Sequence, residues 1–66
     1  MDILAGILHD TYTDENGEVI PYTDKVIGVL FDDVFKCVSI PDFMTFDMGK
    51  EEFFSKVTDI QEVWSK

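Results

Sequence analysis

Apolar residues fall in short runs whose spacing changes along the chain, and the changes mark out the elements. From Asp2 to Tyr12, Ile3, Ala5 and Ile7 alternate with Leu4, Gly6 and Leu8, so a strand here is apolar or small on both faces. Ile3, Leu4, Ile7 and Leu8 also fit one helical stripe capped by Asp2. Gly6 weakens that helix and Thr11-Tyr12-Thr13 favours an extended end, so the stretch reads as a strand. Asp14-Glu15-Asn16-Gly17 follows as a turn: Asn-Gly supplies the positive φ angles of tight hairpins, and Asp14 suits the first turn position. Val19, Ile20 and Tyr22 return as a short strand that Pro21, with no amide proton, confines to an edge or stops. These pieces make a hairpin over residues 2–22, and Thr23-Asp24 connects it to the next.

Residues 25–40 form the second hairpin and the most apolar part of the chain. Lys25–Phe31 and Val34–Ile40 are β-branched and aromatic runs on either side of Asp32-Asp33. Aspartate tolerates left-handed backbone, but two adjacent like charges are not the preferred pair for a two-residue loop. Pro41-Asp42 ends the second strand. Residues 41–48 are a connector whose Phe43-Met44-Thr45-Phe46 piece reads as a short strand or a packed loop.

The last element is a helix over residues 49–65. Phe53, Val57, Ile60 and Trp64 are spaced four, three and four apart, with Phe54 and Val63 widening the stripe. Asp47 or Gly49 caps it; with Gly49 as the cap, Met48 and Phe53 take the hydrophobic-staple positions. Glu51 and Glu52 then meet the positive end of the helix dipole, and Glu52–Lys56 and Glu62–Lys66 are supportive pairs.

Residues 1–66 therefore read as one α+β domain: a small antiparallel sheet of about four strands with a C-terminal amphipathic helix on one face. One helix covers only one face of such a sheet. Yet Val26, Leu30 and Phe35 cannot all lie beside Ile27, Val29 and Phe31. The excess apolar surface predicts a homodimer or a docking surface.

Size and charge narrow the partner. A chain of 66 residues buries only about 60% of its unfolded surface, so it gains from association, disulfides or metal. Cys37 is the only cysteine, which excludes a disulfide within one chain. With no signal-like N-terminus it fits a reducing interior, and the expected compartment is the cytoplasm, the host's if phage-encoded. The apolar run Ile3–Leu8 is too short to span a bilayer. Fourteen acids face five lysines and no arginine, a net charge of −9. That balance disfavours direct binding to nucleic acid or to anionic membranes, both of which need basic contacts.

Catalytic and metal chemistry find little support. Cys37 sits mid-strand, where thiols are buried and inert, and His9 is the only histidine, so a Cys–His pair needs one particular contact. Asp32 and Asp33 adjoin at a turn and do not face each other across a cleft. Asp14-x-Asn16-Gly17 resembles part of an EF-hand loop, but Tyr12 and Thr23 occupy its first and last ligand positions, which need Asp and Glu. His9 with Asp10 is too small a set for zinc, and the scattered glycines form no phosphate loop. No enzyme activity, cofactor or metal is expected.

What remains is a distribution of carboxylates on a rigid scaffold. Asp14, Glu15, Asp32, Asp33, Asp42 and Asp47 are the candidate partner contacts, with Tyr12 and Tyr22 as anchors. Spaced carboxylates can imitate phosphates and occupy the basic groove of a nucleic-acid-binding protein, with steered, salt-sensitive association. In composition and size the chain resembles small phage-encoded inhibitors that act as nucleic-acid decoys, including anti-CRISPR proteins and uracil-DNA glycosylase inhibitors. That resemblance implies a non-enzymatic inhibitor of a basic, nucleic-acid-handling protein. Residues 34–57, with Val34–Ile40, Pro41-Asp42, an apolar piece and a Gly-Lys-Glu-Glu helix start, resemble the partial RNase H-like fold of HicB-type antitoxins. The chain lacks the glycine-rich turn those proteins carry after Pro-Asp. This second resemblance implies an antitoxin- or adaptor-like dimer that binds protein through an apolar sheet face. Neither resemblance assigns the chain to a family.

Overall fold

A computed structural model describes residues 2–64. The elements in chain order are β1 (Ile3–Thr13), β2 (Val19–Phe31), β3 (Val34–Ile40), β4 (Thr45–Gly49), α1 (Lys50–Lys56) and β5 (Val57–Trp64). The strands form one sheet in the order β4-β3-β2-β1-β5, antiparallel at every pairing. β4 and β5 are thus opposite edges, and α1 carries the chain between them across one face.

Both predicted hairpins are present. At the first turn the Asp14 carboxylate accepts from the amides of Asn16 and Glu18, each at 2.9 Å, and Gly17 takes a φ of 81°. The second strand departs from expectation, because it runs through Pro21 and Thr23-Asp24 without a break. β3 pairs with β2 only from Lys25 onward, and β5 pairs with β1 only as far as Leu8. Residues 9–24 therefore project as a two-stranded arm with both outer edges free, the kind of setting in which proline is tolerated. The arm lengthens the molecule to 46 Å.

Two further corrections concern the C-terminal third. The connector, whose Phe43–Phe46 piece reads as a short strand or a packed loop, contributes Thr45–Met48 to strand β4. Gly49, expected in the helix, ends the strand, with Val38 opposite Thr45 and Val34 opposite Gly49. The helix expected over residues 49–65 ends at Lys56, and Val57–Trp64 becomes a fifth strand. Val57, Thr58, Ile60 and Val63 are β-branched and Trp64 is aromatic, a composition that favours extended backbone. The outer edge of β1 supplies the backbone partners that such a segment needs. Gly6 admits it closely: a Cβ there would lie 2.5 Å from Val57 Cγ1 and 2.8 Å from the Thr58 carbonyl oxygen. The helix start is as expected, with Gly49 at the cap, Met48 and Phe53 both buried, and Glu52 bonded to Lys56 at 3.0 Å. The Glu62–Lys66 pairing reaches Lys66, outside the described residues, and Glu62 lies on a strand.

The core is Leu8, Val26, Phe35, Cys37, Met48, Phe53 and Val57, on the side that α1 covers. Ser39, buried beside it, is satisfied by the Met44 amide at 3.2 Å and the Met44 carbonyl at 3.5 Å.

Candidate functional site

Strand alternation divides the chemistry between two faces. Leu4, Leu8, Val26, Leu30, Phe35 and Cys37 share the face beneath α1. Leu30 pairs with Phe35, Leu4 and Cys37 lie on either side of Gly28, Val26 lies between Gly6 and Ser39, and Leu8 meets Val57. The opposite face presents Ile3, Ile7, Ile27, Val29, Val38 and Ile40, all half-buried. The charges on these strands are Lys25, Lys36 and Asp47, and the last two are bonded to each other at 2.8 Å. Asp59 stands at the β5 margin. The remaining acids lie in turns, on α1, or at positions whose alternation turns them to the helix side.

One end of the sheet gathers four of those acids. The backbone amide of Lys50 donates to the Asp33 carbonyl at 2.8 Å and ties the β2–β3 turn to the first turn of α1. Asp33, Glu51 and Glu52 then surround a shallow surface with Gly49, Lys50 and Phe54, and Asp32 is next in chain. Phe31 and Phe54, each 49% exposed, flank this acidic end. Asp32 holds a φ of 53°, the left-handed region in which a glycine is least strained. Glu52 also bonds Lys56, whose ammonium reaches Asp10 at 3.5 Å. The Glu52 hydrogen bond is the largest influence holding Lys56 above the ordinary lysine range, with burial opposing it and Asp10 adding to it.

The other candidate residues are placed elsewhere. Asp14 and Glu15 occupy the tip of the arm. They are separated from Asp32 and Asp33 by the length of β2, about 40 Å at the usual rise per residue. Tyr12 and Tyr22 come together on the arm, with ring centroids 5.9 Å apart and planes inclined by 55°. Asp42 is exposed in the β3–β4 turn, and Asp47 is committed to Lys36. The structure thus joins Tyr12 with Tyr22, Asp14 with Glu15, and Asp32 with Asp33, but it does not join the six acids into one track. Glu51, Glu52 and Phe54 are the members of the acidic end that sequence reasoning missed. Their charge and helix position were visible, but their meeting with Asp33 depends on the β3–β4 register that sets Gly49 opposite Val34.

Cys37 and His9 are not brought together. Cys37 lies on the helix side, where burial first and the Asp47 charge second push its thiol up to about 11. His9 lies on the opposite face, its Nε2 2.8 Å from Thr58 Oγ1. The sheet therefore separates the two groups that a Cys–His pair would need in contact. Among the described residues, no three His, Cys, Asp or Glu side chains are grouped to hold a metal ion. No helix among the described residues is long and apolar enough to cross a membrane. No protein-family model, curated protein or solved structure matches the chain.

Proposed function

We propose that the chain is a non-enzymatic inhibitor that docks its acidic end on a basic, nucleic-acid-handling protein. The observation that carries this reading is the convergence of Asp33, Glu51 and Glu52 beside the exposed ring of Phe54, with Asp32 and the exposed Phe31 next in chain. The four carboxylates outnumber the two ammonium groups nearby, Lys50 and the Lys56 bonded to Glu52. Asp32 moreover spends local stability on a left-handed backbone that glycine would adopt more cheaply, a cost found where a side chain serves function. The carboxylates steer the chain to a basic groove, and the two rings provide apolar anchors once water is displaced. The six acids named from sequence lie in separate groups, so mimicry is confined to this end and does not extend along the molecule.

A partner bound in this way has its phosphate-binding groove occupied. Basic proteins captured by the immobilised chain from a bacterial lysate are expected to elute with an excess of duplex DNA or of RNA. Captured partners that neither nucleic acid displaces would overturn the reading.

A further inference from the structure

We infer that the helix-free face of the sheet is the interface of a homodimer, in which two copies stack sheet on sheet. This inference is independent of the carboxylates of the acidic end, which lie outside that face, although Phe31 stands at its border. Ile3, Ile7, Ile27, Val29, Val38 and Ile40 form an apolar surface that no element among the described residues covers. Sheets bury such faces against other sheets, about 10 Å apart.

Two observations select a second copy as the occupant. The first is charge. In a chain of net charge −9, this face carries Lys25, Lys36 and Asp47, with Asp59 at its margin, so it is nearly neutral. Stacking leaves the other acids directed away from the contact, whereas any approach through the helix side or the acidic end would bring carboxylates together. The second is area. Five strands about 4.8 Å apart and about 23 Å long give a footprint near 500 Å² per copy, or about 1,000 Å² for a pair, the lower bound of a specific interface. A domain this small has a thin margin, and a dimer gives it a second core.

The two copies still repel at long range, so salt tightens the dimer by screening. A basic partner on the acidic end shows the opposite dependence, which keeps the failure of one reading distinct from the failure of the other. Sedimentation equilibrium on the full chain is the test. At high micromolar concentration the expected mass is twice 7.6 kDa. The dissociation constant should fall between about 0.05 M and about 0.5 M NaCl. Ile27→Glu, which buries an unpaired carboxylate, should weaken the dimer about a hundredfold or more. Met44→Glu, on an exposed connection outside the face, should leave it unchanged. A wild-type monomer at both salt concentrations, a dimer loosened by salt, or a dimer that Ile27→Glu leaves intact overturns the inference. The first two outcomes are decided by the wild-type chain whether or not the variant folds.

Discussion

Phe35 and Phe53 stack with ring centroids 4.0 Å apart and 18° between their planes, and both are shut off from solvent. This pair is the joint between helix and sheet. Gly28 lies beneath it: a Cβ there would be 3.1 Å from Phe35 Cδ1 and from Phe53 Cε2. Phe54 closes the side, edge-on to both rings at 5.7 and 5.6 Å. Phe53→Ala removes the stack and leaves a cavity, at an expected cost of about 3–5 kcal/mol. The core of a domain this small rarely supplies more than about 3–5 kcal/mol, so urea denaturation should show most or all of the stability lost.

Gly6→Ala tests the strand assignment of residues 57–64. The new methyl meets Val57 Cγ1 and the Thr58 carbonyl, and one of these is backbone that cannot turn aside. β5 should lift from β1, at about 1–3 kcal/mol. Amide hydrogen exchange should accelerate over Ile3–Leu8 and Val57–Trp64 while β2–β3 amides keep most of their protection. Uniform exchange across the sheet would contradict this.

Asp32→Gly should stabilise the fold. It relieves a left-handed aspartate and one like-charge contact with Asp33, for a gain of about 0.5–1 kcal/mol after the added chain entropy of glycine. A raised urea midpoint with an unchanged slope is the expected result. The same substitution should weaken partner binding, so the two effects run in opposite directions.

Cys37 should resist thiol reagents at neutral pH in the folded chain and react only on unfolding. Its thiol titrates near 11 when folded, against 9.0 in the unfolded chain. Below pH 9.0 both states hold the proton and stability does not depend on this group. Between 9.0 and 11 the unfolded state releases the proton first, so stability falls as pH rises, by about 2 kcal/mol across that interval. The wild-type chain should lose that amount relative to Cys37→Ala over the same interval.

Local patterns carried much of the fold. Alternation gave β1, β3 and the two parts of β2, Asn16-Gly17 the first turn, and the Met48–Phe53 staple the helix start. The end of the helix was not legible, because Phe53, Val57, Ile60 and Trp64 satisfy a helical stripe while their β-branched neighbours satisfy a strand. The outcome depends on the free edge of β1 and the open space above Gly6, both remote in sequence. The acidic end was half legible for the same reason. Asp32-Asp33 is a local feature, but its union with Glu51 and Glu52 requires the β3–β4 register. The uncovered apolar face was legible directly, since both faces of Lys25–Ile40 are apolar and only one helix start is present.

Affinity capture from a bacterial lysate with charge-neutralised variants tests the central claim, that the acidic end binds a basic partner. The wild-type chain should retain basic nucleic-acid-binding proteins at about 0.05 M NaCl and release them at about 0.5 M. Asp32→Asn/Asp33→Asn/Glu51→Gln/Glu52→Gln should lose them at the lower salt while staying folded, and Asp14→Asn/Glu15→Gln, at the far tip of the arm, should retain them. Retention of the same proteins by the fourfold variant, or capture indifferent to salt, would contradict the account.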